Sequence, residues 1–265
     1  MAFVFLKLGG SAITDKTREA MPRPDIIRRA AREVQRARAN HPDLRLLIGH
    51  GSGSFGHFAA KRSGYGLPSA WKAYAETGAA ANRLNRIVAD ILLTEGVPVL
   101  SLQPSASARC RDGELLSLEV AHIRAALEHD LVPLIYGDVA LDETREMSIA
   151  STEKLFAYLA PLLQPDRLVY VSQVDGVYTA DPSRSPGAGR ISEITPAAFA
   201  AIEAGVGGSH GVDVTGGMLD KVRRNLALVQ QLPHLDVYII GSREGMIERA
   251  LGNESLTEGT HIHAA

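Results

Sequence analysis

Short apolar segments alternate with amphipathic helical segments along most of this chain of 265 residues. Residues 24–40 place apolar side chains at helical spacing with arginines on the opposite face, and residues 44–48 follow as a short buried-strand candidate. The same pattern predicts strands at 97–102, 132–136, 168–172, 236–240 and 260–263, a hairpin at 109–117, and helices at 70–95, 118–129, 152–163, 195–204 and 217–232. Because helices separate successive strands, we expect an α/β fold whose central, mostly parallel sheet is covered on both faces.

The first sixteen residues combine a strand, a glycine turn and two lysines. A β-favouring run at 3–6 leads to Lys7, and the chain then turns at Gly9-Gly10-Ser11 before reaching Lys16. Small residues let backbone N–H groups approach an oxyanion, and lysines supply positive charge where a transferring phosphoryl group develops negative charge. The segment therefore predicts a phosphate cradle. An ordinary first strand with a lysine at the sheet edge is the alternative.

Composition and charge narrow the class of protein. The formal net charge of −2 gives no reason to expect nucleic acid or an anionic membrane surface as a partner. Cys110 is the only cysteine, so no disulfide within the chain is possible. No apolar run approaches the roughly 18 residues of a membrane span, and no charged segment followed by an apolar one opens the chain. We expect one cytoplasmic domain.

Further turns rich in glycine or polar residues follow the predicted strands. They lie at 50–57, 137–138, 151–153, 175–178 and 215–218, and the last opens a helix that carries Lys221. Ligands bind at the carboxyl ends of the strands in open parallel sheets, so these turns and the lysines predict one site that holds several phosphates. Taken singly, Lys221 could be only the charged face of a helix, and Asp175-Gly176 only a turn.

The histidines do not have the pattern of a metal site. His50 and His57 lie seven apart around a glycine loop, without the helical spacing or the acidic neighbours of a metal pair. A phosphate donor is the better interpretation of His57. His261 and His263 lie near the chain end, and we assign no function to them.

Several motifs together resemble the amino-acid kinase superfamily and, within it, the isopentenyl phosphate kinases. They are K-L-G-G-S at 7–11, D-K at 15–16, G-H-G-S-G-S-F-G-H at 49–57, Q-P-S at 103–105, Y-G-D-V at 136–139, V-D-G-V-Y at 174–178, D-V-T-G-G-M-x-x-K at 213–221 and G-T-x-I at 259–262. The match runs in order over essentially the whole chain. The first and the V-D-G-V-Y motif are general to the superfamily, whereas F-G-H, Q-P-S and Y-G-D-V favour the isopentenyl phosphate branch.

The resemblance implies a three-layer αβα sandwich that forms a single domain. Its N-terminal lobe, about residues 1–165, would bind the acceptor, and its C-terminal lobe, about 166–265, would bind ATP with Mg²⁺. The implied reaction is ATP-dependent phosphorylation of isopentenyl phosphate to isopentenyl diphosphate in isoprenoid biosynthesis. A homodimer is also implied.

The resemblance also assigns roles to individual residues. The catalytic residues would be Lys7, Lys16, His57 and Lys221. The nucleotide would be bound by Lys7, Gly9, Gly10, Ser11, Gly53, Asp175, Tyr178, Gly217 and Lys221, and the acceptor by Ser52, Gly56, His57 and Thr152. No residue is assigned as a metal ligand.

Two motifs depart from the family pattern. Thr152-Glu153 stands where many relatives have Gly-Asp, and Gln173 replaces the first acid of the usual D-V-D-G. The acceptor's hydrocarbon tail needs an apolar slot, for which the candidates, which could equally be core, are Phe58, Ala59, Ala79, Ala80, Leu84 and Ile87.

Other functions remain open on the sequence alone. One is a kinase for another small phosphate or phosphonate such as fosfomycin, and another is a nucleotide-binding sensor without turnover. A dinucleotide-dependent oxidoreductase is disfavoured, because the first turn lacks G-x-G-x-x-G.

Overall fold

The computed structural model describes residues 2–182, 184–185, 187–205, 216–252 and 256–265. The helices are α1 (Gly10–Ile13), α2 (Pro24–Asn40), α3 (Gly53–Ser63), α4 (Trp71–Thr94), α5 (Ala121–Glu128), α6 (Thr152–Leu163), α7 (Pro196–Gly205), α8 (Gly216–Gln231) and α9 (Met246–Leu251). The strands are β1 (Phe3–Leu8), β2 (Arg45–His50), β3 (Val99–Ser101), β4 (Arg109–Arg111), β5 (Glu114–Ser117), β6 (Val132–Tyr136), β7 (Asp138–Asp142), β8 (Glu146–Ala150), β9 (Arg167–Ser172), β10 (Val177–Tyr178), β11 (Arg190–Ile191), β12 (Glu193–Ile194), β13 (Asp236–Gly241) and β14 (Thr260–Ile262).

The central sheet is mostly parallel, as the alternation of strands and helices predicted. Its order within the described residues is β12-β14-β13-β9-β1-β2-β6-β3, and β14 runs antiparallel to β13. Two small sheets, β5-β4-β7-β8 and β10-β11, lie outside it. The α/β prediction and the hairpin at 109–117 are confirmed.

Helices cover both faces of this sheet. Successive side chains of a strand point to opposite faces, so each central strand contributes to two hydrophobic cores. Phe5 of β1 packs in a core with Phe156 of α6, whereas its neighbour Leu6 packs on the other face with Ile27 of α2. The same alternation places Lys7 on the face of Phe5. The result is three layers.

Some elements were not predicted. α3 begins at Gly53, inside the stretch expected to be a glycine loop, and the hairpin β7–β8 at 138–150 had no strand prediction. By contrast, the predicted bounds 24–40, 132–136 and 152–163 agree with α2, β6 and α6. Among the described residues, no helix is both long and apolar enough to cross a membrane.

Candidate active site

A cavity of about 390 Å³ lies where β1, β2 and β9 end, and we call it the phosphate cavity. Its lining residues are Lys7, Gly9, Gly10, Ser11, Lys16, Gly51, Gly53, Ser54, His57, Glu153, Tyr170, Val171, Ser172 and Lys221. The carboxyl ends of parallel strands meet at this edge, as expected. Eight of the residues predicted from the sequence therefore line one cavity: Lys7, Gly9, Gly10, Ser11, Lys16, Gly53, His57 and Lys221.

Two glycine turns form the floor of the phosphate cavity by packing backbone against backbone. A Cβ atom on Gly10 would lie 2.6 Å from the backbone nitrogen of Gly53, and one on Gly9 would lie 2.6 Å from the carbonyl oxygen of Val171. Gly53 also has a positive φ of 52°, which glycine adopts most easily. The first residues of α3 line the cavity, so the positive end of that helix dipole favours an anion there.

The charged groups of the cavity are three lysines and one glutamate. The ammonium group of Lys7 donates a hydrogen bond to the Glu153 carboxylate. Burial by itself would raise the pKa of Glu153, but the charges of Lys7 and Lys221 outweigh it and hold that pKa at about 2. Burial, together with Lys7, lowers the pKa of Lys221 to about 8. The cavity thus carries excess positive charge, which suits a polyphosphate.

Lys16 lies on an exposed loop that is anchored at both ends. The backbone N–H of Met21 donates to Ser54 Oγ over 3.2 Å. At the other end the Ser54 N–H donates to Thr14 Oγ1 over 2.9 Å, and that hydroxyl donates to the Gly10 carbonyl over 2.6 Å. These bonds tie the loop to the floor of the cavity and bring Lys16 to its rim. Neither Thr14 nor Ser54 was predicted from the sequence, because a lone threonine or serine carries no spacing signal.

His57 is the fifth residue of α3 and lines both the phosphate cavity and a second cavity of about 200 Å³, which we call the side cavity. The side cavity is lined by Ser52, Gly56, His57, Ala60, Thr77, Ala81, Gly137, Asp138, Val139 and Ile149. Most of its wall is apolar. Burial raises the pKa of Asp138, whose oxygens accept hydrogen bonds from the backbone N–H groups of Ser105 and Val139.

Three of the residues suggested from the sequence for an apolar slot lie in the hydrophobic core. Ala59, Ala80 and Leu84 are at most 1 % exposed and pack in the hydrophobic core, so the core alternative holds for them. The side cavity is lined instead by other residues of α3 and α4, among them Ala60 and Ala81, and by residues of the hairpin β7–β8, for which no strands were predicted.

Thr152 lies behind the glycine loop and lines neither cavity. Its side chain is 1 % exposed, and its hydroxyl donates a 2.6 Å hydrogen bond to the carbonyl of His50. Ser52 and Gly56, in contrast, line the side cavity beside His57. The Thr152 side chain therefore holds the loop, and its neighbour Glu153 reaches the phosphate cavity.

His50 is fully buried and has both ring nitrogens engaged. The amide of Asn85 lies 3.1 Å from Nε2, and the carbonyl of Gly51 lies 3.0 Å from Nδ1. An amide N–H donates, so Nε2 accepts and Nδ1–H donates, which is the neutral imidazole. Burial lowers the pKa of His50 to about 4. This histidine stabilises the loop from below.

Asp175 lies on the turn after β9 and Tyr178 on the short strand β10 that follows, and neither lines the phosphate cavity. The Tyr178 hydroxyl donates to the Asp175 carboxylate over 2.6 Å, and Arg190 lies 3.1 Å from its other oxygen. Gly217, at the start of α8, has open space around its Cα, and Lys221 follows one turn later. The predicted 213–215 part of the D-V-T-G-G-M motif lies outside the described residues.

Comparisons with known proteins point to one family. The model of the amino acid kinase family matches residues 2–241. The isopentenyl phosphate kinase of Methanothermobacter thermautotrophicus is 36% identical over 98% of this chain and 98% of its own length. That of Arabidopsis thaliana is 29% identical over 79% of this chain and 68% of its own length.

Solved structures of isopentenyl phosphate kinases superpose on this chain over almost its whole length. An isopentenyl phosphate kinase structure superposes with a TM-score of 0.83 at 34% identity, covering 98% of this chain and 99% of that one. The product complex of the Thermoplasma acidophilum isopentenyl phosphate kinase superposes with a TM-score of 0.77 at 28% identity, over 99% and 100% of the two chains. Giardia lamblia carbamate kinase, at 13% identity and a TM-score of 0.74, shares the fold.

Proposed function

Because the chain belongs to the amino acid kinase family and, within it, to the isopentenyl phosphate kinases, we propose that it phosphorylates isopentenyl phosphate with ATP. In this reaction an oxygen of the acceptor phosphate bonds to the γ-phosphorus of ATP, and the bond from that phosphorus to ADP breaks. The products are isopentenyl diphosphate and ADP.

The position of His57 carries this proposal. A phosphate monoester with a hydrocarbon tail needs a cationic or N–H-rich pocket joined to an apolar one, and His57 lines both such cavities. The ring can donate an N–H to the acceptor phosphate while the tail enters the side cavity. The acceptor phosphate is already an anionic nucleophile, so no strong general base is required.

The lysines have the larger electrostatic task. Lys7, Lys16 and Lys221 line the cavity in which the γ-phosphoryl group would lie, and negative charge spreads over its oxygens during transfer. Glu153 holds Lys7 and offsets part of the repulsion among the lysines. The turns at Gly9-Gly10 and Gly53 let the backbone approach the same phosphates.

The tail would pack against Ala60, Ala81, Val139 and Ile149 in the side cavity. Burying each methylene contributes about 0.8 kcal/mol, so a five-carbon tail gains useful affinity from a small apolar pocket. Ser52 and Gly56 lie beside His57 and would contact the acceptor phosphate.

The rest of the nucleotide would lie beyond Ser172, toward Asp175, Tyr178 and Gly217. Mg²⁺ would enter as part of the Mg·ATP complex, where it neutralises phosphate charge. Among the described residues no group of three or more His, Cys, Asp or Glu side chains forms a metal cage. A cavity rich in lysine and glycine fits a cation held mainly by phosphate oxygens, so we assign no protein ligand to it.

Three further proposals concern the whole protein. We divide the domain into an acceptor lobe, about residues 1–165, and a nucleotide lobe, about 166–265.

We also propose a homodimer, supported by Leu93 on α4 and Leu100 on the edge strand β3, which are 49% and 38% exposed. The single, unpaired Cys110 supports a cytoplasmic location. Light scattering on the purified protein tests the dimer.

A direct assay tests the proposed activity. Purified protein with Mg·ATP would be offered isopentenyl phosphate, dimethylallyl phosphate, fosfomycin, acetylglutamate and UMP, and the products followed by ³¹P NMR. We expect fastest formation of a diphosphate from isopentenyl phosphate. Faster turnover of fosfomycin would move the assignment to a phosphonate kinase, and no turnover of any acceptor would favour a nucleotide sensor.

A further inference from the structure

One aromatic ring in the phosphate cavity faces two lysines. Tyr170, on β9, is 3 % exposed and lines the cavity. The centroid of its ring lies 6.0 Å from Lys7 Nζ and 5.9 Å from Lys221 Nζ. Lys7 is the register partner of Tyr170 in the neighbouring strand β1, whereas Lys221 comes from α8 on the same side of the sheet.

The two ammonium groups need compensation before any phosphate binds. Lys221 is faced by Lys7 from β1, by Lys16 from the loop after α1, and by Glu153 from α6. Three cations against one carboxylate repel one another, and burial adds to the cost of keeping Lys221 charged. The face of an aromatic ring attracts cations, most strongly where water is excluded.

We infer that Tyr170 is a positioning residue, whose ring attracts the ammonium groups of Lys7 and Lys221 and holds both beside the same phosphate site. The inference rests on the proposed function only for the identity of that phosphate. The ring supplies attraction without adding a negative charge, which would repel the incoming nucleotide. Glu153 alone supplies that negative charge among the residues lining the cavity.

The orientation of the ring is fixed from its far end. The Tyr170 hydroxyl lies 3.1 Å from Asn225 Oδ1, to which it donates, and Asn225 Nδ2 donates to the carbonyl of Lys221 over 2.8 Å. One amide side chain therefore holds both the ring and the turn of α8 that carries the lysine.

A fluorinated series separates this role from simple packing. Phenylalanine, trifluorophenylalanine and pentafluorophenylalanine would be placed at position 170, because fluorine weakens and then reverses the attraction of the ring face for a cation while the shape changes little. Tyr170→Phe is the matched control, since it loses the hydroxyl but keeps the ring face. The readout is the Lys221 titration in the free protein, by NMR of ¹³C-labelled lysines assigned with Lys221→Arg.

We expect the pKa of Lys221 to fall with fluorination, by roughly 0.5 to 1 pH unit between the phenylalanine and pentafluorophenylalanine proteins. Equal Lys221 titrations across the series, in proteins with wild-type melting temperatures, would overturn the inference. Tyr170→Leu, which removes the ring, should lower the Lys221 pKa at least as much.

The same proteins distinguish this inference from the proposed function. If the reaction is as proposed, the alkaline limb of kcat/KM for ATP moves to lower pH in step with the NMR titration. If the wild-type protein does not phosphorylate isopentenyl phosphate, the proposed function fails, but the NMR series still decides the role of Tyr170. If the Lys221 titration moves across the series while the alkaline limb of kcat/KM of an active enzyme stays fixed, a role of the Tyr170 ring in catalysis is contradicted.

Discussion

The ammonium group of Lys7, on β1, donates a hydrogen bond to the carboxylate of Glu153, on α6, inside the phosphate cavity. The two side chains are 8% and 24% exposed, so water screens the pair only in part. Glu153 is also near Lys221, so the one carboxylate among the residues that line the phosphate cavity offsets two cations. Because its pKa is about 2, this carboxylate is ionised throughout the neutral range.

The first prediction concerns Glu153→Gln. Removing the negative charge lowers the pKa of Lys221 below its value of about 8, since a neighbouring carboxylate favours an ammonium ion. A fall of about one unit leaves ~10-fold less charged lysine on the alkaline side. We expect the alkaline limb of kcat to move to lower pH, which a pH–rate profile measures. Glu153→Asp, which keeps the charge, is the control, and an unmoved limb in the Gln protein would refute the prediction.

The second prediction concerns the free energy of unfolding at acid pH, to which the ionised Glu153 contributes. A carboxylate with a lowered pKa in the folded state stabilises the fold fully above its ordinary value of 4.5, and that contribution is lost as the pH falls toward 2. Wild-type protein should therefore lose more stability than Glu153→Gln between pH 5 and pH 2. Urea unfolding at several pH values measures the difference, and parallel curves would contradict it.

A third prediction concerns the contact between the two glycine turns. Gly10→Ala places a methyl group 2.6 Å from the backbone nitrogen of Gly53, and neither backbone can yield without moving the floor of the cavity. We expect a loss of kcat/KM of about 10²-fold or more for both substrates, because a misplacement near 1 Å is enough to cost that much. Ser11→Ala, next in the chain, should lose less. Near-normal rates in Gly10→Ala would show that the turns separate freely.

Much of the phosphate cavity follows from the sequence. A strand that ends in Gly9-Gly10, and lysines beside other strand ends, must come together once the strands are parallel, because parallel strands share a carboxyl edge. Lys7 and Lys221 lie far apart in the chain, and yet this single rule predicted that they meet at one edge. His57 followed from the resemblance as well as from its glycine loop.

The rest depends on tertiary packing that local patterns do not carry. Gly53 and its serine neighbours predict a loop, because small polar residues are poor helix formers, but a helix N-terminus tolerates them, so α3 starts there. Val139 and Ile149 reach the side cavity only because a hairpin folds over α3 and α4. Tyr170 reads as one apolar residue of a buried strand, and its two lysines arrive from other elements.

A fourth prediction tests the side cavity through Ala81. Ala81→Leu fills space in this small pocket, so we expect the KM for isopentenyl phosphate to rise about 10-fold or more, the scale of one to two buried methyl groups, while the KM for ATP stays unchanged. Ala79→Leu is the matched control, because Ala79 lies on the exposed face of the same helix. Equal KM values for the two proteins would place the tail elsewhere, provided that thermal unfolding shows both are folded.

The last prediction compares His57, which we propose contacts the acceptor phosphate, with Lys16, which we propose contacts the γ-phosphoryl group. His57→Ala should cost on the order of 2–4 kcal/mol of transition-state stabilisation with the acceptor, with partial rescue in His57→Gln, because glutamine keeps an N–H donor. Lys16→Met should lower kcat by about 10²-fold with little change in either KM, because we propose that Lys16 meets the γ-phosphoryl group mainly in the transition state. Lys16→Arg should rescue poorly, since a planar guanidinium does not replace a compact ammonium.

Lys16 is exposed at the cavity rim, so the competing account is attraction of anions from a distance. That account predicts a KM effect that fades as salt is added, and kcat and KM measured at low and high ionic strength decide between the two.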